Sequence, residues 1–191
     1  MNFAGEYLHI GDMEVSQLSA QVESLENHMW QTQFSHTLHD ASMAGIHCIP
    51  LVWDEQLRHN MPTKLAALQQ FAESIRPALV KIADYYETSP KWSEYFKDKQ
   101  RGYFIRASIE KVCSQVTIPS HRDDEFSMQH AHRIYIPLRT NDDVFFDIGE
   151  MTLNLLEGEI VEINNQLSHR IRNDGDQDAV HLILDWVVPG E

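Results

Sequence analysis

The spacing of apolar residues changes near residue 100 and divides the chain into two parts. Before that point, apolar residues recur at steps of three and four, which is the periodicity of a helix with one buried face. After that point, short apolar runs alternate with turn residues, as expected for strands. The pattern predicts a mostly helical region over residues 1–100 that packs on a β-rich core over residues 101–191, in one compact domain.

The helical region contains two predicted helices and one predicted strand. Apolar residues at helical spacing predict the first helix within residues 14–30. Residues 41–53 are rich in apolar and β-branched side chains, which favours a strand. The clearest helix runs from Thr63, a residue type that caps helices, to Ile82. Pro77 lies inside this helix and predicts a kink or a break.

The second half contains short runs of strand-forming residues separated by turn residues such as Asn, Asp and Gly. Many short strands at this spacing predict a jelly roll or a barrel, with the helical layer bracing one sheet. The predicted strands are Tyr103–Val112, Val116–Ile118, Arg133–Leu138, Val144–Ile148, Met151–Leu155, Glu159–Ile163 and Ala179–Val188.

The chain of 191 residues is acidic, because Lys and Arg number 15, Asp and Glu number 29, and the formal net charge is −14. Such a surface repels phosphate groups, so we expect neither nucleic acid nor an anionic membrane as a partner. The two cysteines, Cys48 and Cys113, are isolated from each other, which suggests a reducing compartment. The N-terminus lacks a basic start before an apolar run, and no apolar run approaches about 18 residues, so we expect a cytoplasmic protein.

A candidate metal site begins at His121-Arg122-Asp123 and continues at His169, 48 residues after His121. Residues i and i+2 of a strand point to the same face, so the side chains of His121 and Asp123 can aim at one point. Two imidazoles and one carboxylate on one face of Fe(II) leave positions open for a cosubstrate and oxygen. The His-X-Asp spacing is common, and on spacing alone a solvated surface turn is the alternative.

Four segments of the second half carry a resemblance to a known family: IPSHRDD, HRIYIPLRTNDDVFF, LLEGEIVEINNQLSHRIRNDGD and AVHLILDWVVP. From about Tyr103 to Pro189 the chain resembles the aspartyl/asparaginyl β-hydroxylases. These are Fe(II)- and 2-oxoglutarate-dependent dioxygenases on a double-stranded β-helix, a cupin-like jelly roll. The resemblance implies that His121, Asp123 and His169 are the catalytic metal ligands. It also implies that Arg133 binds the carboxylate of the cosubstrate near the metal.

The chain departs from the family pattern at two positions of the expected cosubstrate site. Ala179 stands where the family carries an Arg that grips the far carboxylate of 2-oxoglutarate, and Tyr135 stands where a His is expected. A guanidinium pairs with a carboxylate through two hydrogen bonds, whereas an alanine side chain offers none. Strand alternation places Arg139 on the face of Arg133 and Tyr135, so Arg139 is one candidate replacement. His181 shares the face of Ala179 and is the other candidate.

The sequence therefore predicts a dioxygenase that uses Fe(II), 2-oxoglutarate and O₂ to hydroxylate an amino acid, a peptidyl Asp or Asn, or an amino-acid-derived small molecule. Two alternatives follow from the alanine at position 179. One is a metal-dependent oxygenase that does not use 2-oxoglutarate, and the other is a non-enzymatic jelly-roll binding module. Arg139 or His181 pointing into the metal pocket favours 2-oxoglutarate, whereas a closed apolar pocket favours the alternatives.

Overall fold

The computed structural model describes residues 3–30, 45–54 and 62–189. Within these residues the helices are α1 (Ser16–Glu23), α2 (Ala67–Thr88), α3 (Pro90–Phe96) and α4 (Phe126–Gln129), and a short 3-10 helix covers Asn27–Met29. The strands are β1 (Tyr7–Asp12), β2 (Ile46–Trp53), β3 (Thr63–Lys64), β4 (Tyr103–Val112), β5 (Val116–Thr117), β6 (His132–Arg139), β7 (Val144–Ile148), β8 (Met151–Leu153), β9 (Glu159–Ile163), β10 (His169–Asn173) and β11 (Ala179–Val187). No helix in this part of the chain is long and apolar enough to cross a membrane.

The strands form two antiparallel sheets that share one apolar interior. The larger sheet has the order β1-β9-β6-β11-β4-β2-β3, and the smaller sheet has the order β5-β10-β7-β8. This arrangement confirms the predicted jelly roll of the double-stranded β-helix type. We call the apolar cluster between the sheets the inner core, and its buried members are Ile46, Val112, Ile118, Tyr135, Val144, Phe146, Ile148, Leu155, Val161, Ile163, Ile171, Ala179 and Ile183.

A second apolar cluster, the outer core, lies between the larger sheet and the helices. α1 contributes Leu18 and Val22, and the sheet contributes residues such as Ile109, Ile136 and Leu182. Full burial of each large apolar side chain stabilises the fold by about 1.5–3 kcal/mol. The helices therefore pack on one face of the larger sheet. α2 contributes a stripe of buried residues at helical spacing, namely Phe71, Ile75, Ala78, Ile82 and Tyr86.

The predicted start of the long helix is wrong, and the break predicted at Pro77 does not occur. α2 begins at Ala67, with Ala66 at the N-cap position and no side-chain cap. Thr63 lies instead in β3, where it pairs with Trp53 of β2. α2 continues without interruption through Pro77 to its end. Because Pro77 is exposed, water can bind the carbonyl group that its missing N–H leaves free.

The larger sheet takes strands from both halves of the chain. β1 pairs with β9, and β2 pairs with β4. The sequence predicts β2, although residues 41–44 of that prediction lie outside the described residues, but it misses β1 and β10. β10 has the sequence HRIRN with one apolar residue, and β1 is a short run that ends in Gly and Asp, so the local signal of both strands is weak. The division at residue 100 stays a prediction about domain organisation.

Candidate metal centre

Backbone pairing brings His121 and His169 side by side. The N–H of His121 donates to the carbonyl of His169 at 3.0 Å, and the N–H of His169 donates to the carbonyl of His121 at 2.9 Å. β5 already pairs with β10, so the chain that leaves β5 continues beside β10 and places His121 against its first residue. The ring centroids lie 4.4 Å apart. Two residues far apart in sequence thus present their rings to one point.

Asp123 completes a group of three candidate ligands. Its Oδ1 atom lies 3.7 Å from Nε2 of His121, and its Oδ2 atom lies 4.0 Å from Nε2 of His169. One ligand atom from each of the three residues lies within 4.8 Å of the others. Metal–ligand bonds of about 2.0–2.2 Å place neighbouring ligand atoms about 3 Å apart, so small side-chain adjustments suffice for a metal.

Hydrogen bonds fix both rings in the form that binds metal through Nε2. Nδ1 of His121 lies 2.8 Å from the carbonyl oxygen of Pro119, and Nδ1 of His169 lies 3.0 Å from that of Leu167. A carbonyl only accepts, so each Nδ1 carries a proton, and in the neutral ring the lone pair is on Nε2. Burial lowers the pKa of His169, which keeps that ring neutral.

Two ligand atoms of this group are buried without a hydrogen-bond partner among the described residues, namely Nε2 of His169 and Oδ1 of Asp123. A buried polar atom left unpaired costs about 1–3 kcal/mol, and more for a charged group. A cation bound to both atoms removes that penalty. Two neutral imidazoles and one carboxylate are also the donor set that suits Fe(II). The residues therefore fit a divalent metal ion of this type.

Asp123 is held in place and kept ionised by its neighbours. Nη1 of Arg133 donates to Oδ2 of Asp123 at 2.7 Å, and Nδ2 of Asn165 donates to the same oxygen at 3.3 Å. Burial raises the pKa of Asp123, but Arg133 and the two histidine rings outweigh burial and lower it overall. In the sequence, Asn165 is not distinguishable from an ordinary turn residue, because nothing local separates a turn amide from one that contacts a ligand. Its burial, at 4% exposed, reveals the role.

Arg133, the predicted partner of the cosubstrate carboxylate, belongs to a chain of buried charges. Its Nε atom donates to Oδ1 of Asp185 at 3.1 Å. Arg106 donates from Nε to Oδ2 of Asp185 at 2.6 Å and from Nη1 to Ser127 at 2.9 Å. The charges of Arg106, Asp185, Arg133 and Asp123 thus alternate from β4 to the metal ligands. The one available sequence signal for Asp185 is its position as a single acid in an apolar strand.

Tyr135 and His181 lie together on the inner face of the larger sheet. The ring of Tyr135 packs edge-on against that of Phe146, with 5.3 Å between the ring centroids. Burial raises the pKa of the Tyr135 hydroxyl group. The ring of His181 lies 6.3 Å from that of Tyr135 and 5.3 Å from that of Phe146. Burial lowers the pKa of His181 to about 4, so its ring is neutral at physiological pH. Ala179 lies in the same inner core, as strand alternation predicts.

The prediction that Arg139 shares the face of Tyr135 is wrong. His181 pairs with Pro137, whereas the adjacent Val180 pairs with Arg139, so Leu138 is an extra residue that forms a β-bulge. The bulge turns Arg139 to the helical side, where Nε donates to the carbonyl of Asp178 at 2.9 Å. There it lines a separate cavity of about 210 Å³ beside α1. Arg139 therefore lies on the opposite face of the larger sheet from Ala179.

Three solved structures share this fold over most of their length. One is described as an oxidoreductase of the 2OG-Fe(II) oxygenase family from Burkholderia pseudomallei, with a TM-score of 0.61 and 12% identity over 91% of this chain and 77% of that chain. Another is the non-heme alpha ketoglutarate dependent epimerase SnoN from nogalamycin biosynthesis, with a TM-score of 0.61 and 12% identity over 95% of this chain and 78% of that chain. The non-heme monooxygenase ThoJ in complex with Ni has a TM-score of 0.56 and 11% identity over 97% of this chain and 74% of that chain. At these identities the likeness shows the fold.

The sequence comparison identifies the family. No match was found among curated protein sequences. The family described as Aspartyl/Asparaginyl beta-hydroxylase matches residues 13–189, a range that includes α1 to α4, β2 to β11 and all three candidate ligands. The chain therefore belongs to the aspartyl/asparaginyl β-hydroxylase family.

Proposed function

We propose that this chain is a non-haem iron oxygenase that uses 2-oxoglutarate and O₂, with His121, Asp123 and His169 as the ligands of Fe(II). One observation carries the proposal: three ligand atoms converge on one point, and two of them are buried without a hydrogen-bond partner among the described residues. Membership of the hydroxylase family supports the same class of reaction. Bound Fe(II) supplies the redox chemistry that couples a 2-oxo acid and O₂ to oxidation of a C–H bond.

The surrounding residues prepare the ligands. Pro119 and Leu167 hold each imidazole through Nδ1, so Nε2 is the nitrogen of each ring that is left to bind the metal. Arg133 occupies Oδ2 of Asp123 and leaves Oδ1 for the metal. The side chain of Asp123 is fully buried, which excludes water from its side of the site. These contacts orient the three ligands before the metal arrives.

The cosubstrate extends from the metal into the inner core in this proposal. Arg133 lies at the metal end and is the cation for the near carboxylate. Tyr135 and His181 line the path toward Ala179, since all three residues face the inner core. Arg139 takes no part, because the bulge at Leu138 turns it away. The aromatic and aliphatic side chains of the inner core keep bulk water from the reacting groups.

The family implies the substrate class, which we propose to be an amino acid, a peptidyl Asp or Asn, or an amino-acid-derived small molecule. We also propose that the protein works in the cytoplasm. The support for that location is that Cys48 and Cys113 are both free thiols in the structure, as expected in a reducing compartment.

The test is an anaerobic titration of the Fe(II)-loaded protein with 2-oxoglutarate. A 2-oxo acid that chelates Fe(II) gives a visible absorption band near roughly 500 nm, and we expect that band to grow and saturate. His169→Ala should abolish both stoichiometric Fe(II) binding and the band. His130→Ala is the matched control, because His130 is not one of the three grouped ligands and its ring centroid lies 4.8 Å from that of Phe126, and it should keep both properties.

Two results contradict parts of the proposal separately. Unchanged iron stoichiometry in His169→Ala would exclude the three proposed ligands. Stoichiometric iron without a band in the unmodified protein would exclude 2-oxoglutarate as a chelating cosubstrate. That second result would favour an oxygenase with another cosubstrate or a jelly-roll binding module.

A further inference from the structure

An acidic side chain faces the space in which the proposed cosubstrate lies. Glu110 on β4 pairs directly with His181 of β11 on one side and with Cys48 of β2 on the other. Directly paired residues of neighbouring strands point to the same face, with Cβ atoms about 4.5–5.5 Å apart. The ring of His181 stands perpendicular to that of Phe146 in the smaller sheet, so this face is the one between the sheets. Glu110 therefore points into the jelly roll beside His181.

His181 offers an unused hydrogen-bond donor at the same place. Its side chain is 1% exposed, and neither ring nitrogen has a hydrogen-bond partner among the described residues. Along β11 the inward-facing residues run from Asp185, which binds Arg133, through Ile183 and His181 to Ala179. His181 thus lies about 7 Å nearer the metal centre than Ala179 along the strand. From position 181, the short side chain of histidine therefore reaches the region that the long side chain of an arginine at position 179 would reach.

The surroundings of Glu110 raise the pKa of its carboxyl group, which makes a proton easier to add there. Burial raises the pKa of its carboxyl group, Arg133 and the Ser108 hydroxyl oppose that rise, and Asp185 and Asp123 add to it, so the net shift is upward. The Ser108 hydroxyl donates to Oε1 of Glu110 at 3.0 Å. The other described groups around this position are uncharged, namely Cys48, Tyr135, Phe146 and His181.

The formal charges around the site favour one added proton when the cosubstrate binds. Two arginines, Arg106 and Arg133, and three carboxylates, Glu110, Asp123 and Asp185, give a net charge of −1. A bound dication makes it +1, and the two negative charges of 2-oxoglutarate return it to −1. One proton on Glu110 makes the site neutral. The arginine of the family pattern would have the same effect, so the proton takes the place of the missing guanidinium.

We propose that the far carboxylate of 2-oxoglutarate binds between Glu110, held as a carboxylic acid, and the neutral ring of His181, and that binding takes up one proton from solution. The O–H of Glu110 donates to one oxygen of that carboxylate, and an N–H of His181 donates to the other. Two carboxyl groups that share a proton avoid the repulsion between two buried negative charges. The inference rests on the proposed use of 2-oxoglutarate and assigns the position of its far carboxylate.

The test is calorimetric titration of the Mn(II)-loaded protein with 2-oxoglutarate in two buffers of different ionisation enthalpy, at about pH 8, above the ordinary range of a carboxyl group. The difference between the two heats gives the number of protons taken up, and we expect about one per ligand bound. 2-Oxopentanoate has the same chain length without the far carboxylate, and it should bind without proton uptake. This comparison needs no variant.

Variants then assign the proton to one residue. Glu110→Gln should bind 2-oxoglutarate within about threefold of the unmodified protein, because the amide still donates, but with no proton uptake. Glu157→Gln changes an exposed acid and should keep the uptake. His181→Phe should weaken 2-oxoglutarate binding by about tenfold and leave Mn(II) binding unchanged, since one donor is lost.

The outcomes separate this inference from the proposed function. Binding of 2-oxoglutarate without proton uptake, uptake that persists in Glu110→Gln, or equal uptake with 2-oxopentanoate would each overturn the inference and leave the reaction class in place. Failure of the metal-loaded protein to bind 2-oxoglutarate would overturn the proposed cosubstrate and this assignment together.

Discussion

The guanidinium of Arg133 donates from Nη1 to Oδ2 of Asp123 at 2.7 Å and so determines which carboxylate oxygen remains available. The remaining oxygen, Oδ1, has no hydrogen-bond partner among the described residues and lies 3.7 Å from Nε2 of His121. The same guanidinium reaches Asp185 on β11 at 3.1 Å. One buried cation therefore connects a metal ligand to the last strand of the larger sheet.

We predict that Arg133→Lys lowers the Fe(II) affinity by about 10- to 100-fold, the usual effect of losing a group that orients a ligand. Lysine keeps the charge but lacks the planar fork that contacts both Asp123 and Asp185. Arg122→Lys is the control, because Arg122 is exposed and lies next to the same ligands. Anaerobic Fe(II) titration in competition with a chelator measures the affinity. Equal affinities in the two variants would mean that Arg133 does not orient Asp123.

The amide of Asn165 should contribute to metal binding although it is not a ligand. It donates to Oδ2 of Asp123 at 3.3 Å and to the carbonyl of Met128 at 2.9 Å. We expect Asn165→Ala to lower Fe(II) affinity by about tenfold. Asn154→Ala removes an amide that also donates twice to main-chain carbonyls, but in the β7–β8 hairpin. If both variants bind Fe(II) like the unmodified protein, the contact with Asp123 has no role in metal binding.

Arg139→Ala should leave the dissociation constant of 2-oxoglutarate within about twofold of the unmodified value. The bulge at Leu138 places Arg139 on the helical side of the sheet. There its Nε atom donates to the carbonyl of Asp178, and its Nη1 atom lies 3.8 Å from Oε1 of Glu23. Calorimetric titration of the Mn(II)-loaded variant measures the constant. A loss of tenfold or more would mean that the side chain acts across the sheet, contrary to the observed register.

The buried ring of His181 should make the protein less stable in acid. Burial lowers its pKa to about 4 in the folded protein, whereas an unfolded chain titrates near 6.5. Between these values the unfolded chain binds a proton that the folded protein does not, so the free energy of unfolding falls as the pH falls. The loss reaches about 3 kcal/mol below pH 4 and is absent above about pH 6.5.

Urea unfolding of the metal-free protein at several pH values between about 7 and 4 measures this effect. His181→Leu removes the titrating ring, so its stability relative to the unmodified protein should rise as the pH falls. Parallel stability curves for the two proteins would show that His181 has no unusual pKa.

The sequence by itself determined the features that depend on neighbours along the chain. Val144–Ile148 and Glu159–Ile163 are predicted with the bounds that the structure has, because their apolar runs end at turn residues. The candidate ligands His121, Asp123 and His169 are also visible in the sequence, since metal binding demands particular residue types. β10 was missed because HRIRN contains one apolar residue, and its pairing with β7 supplies what its composition lacks.

Only the tertiary structure decided which way the strand residues face. The bulge at Leu138 lies where the pairing of β6 with β11 skips one residue. The alternation of side chains along β6 does not predict where that skip occurs. On β4, Ser108 and Glu110 alternate with Ala107 and Ile109, a pattern that by itself predicts a solvated polar face. In the fold the smaller sheet covers that face, so the same polar residues line the interior. The covering sheet comes from distant parts of the chain, and long-range pairing is what local periodicity does not encode.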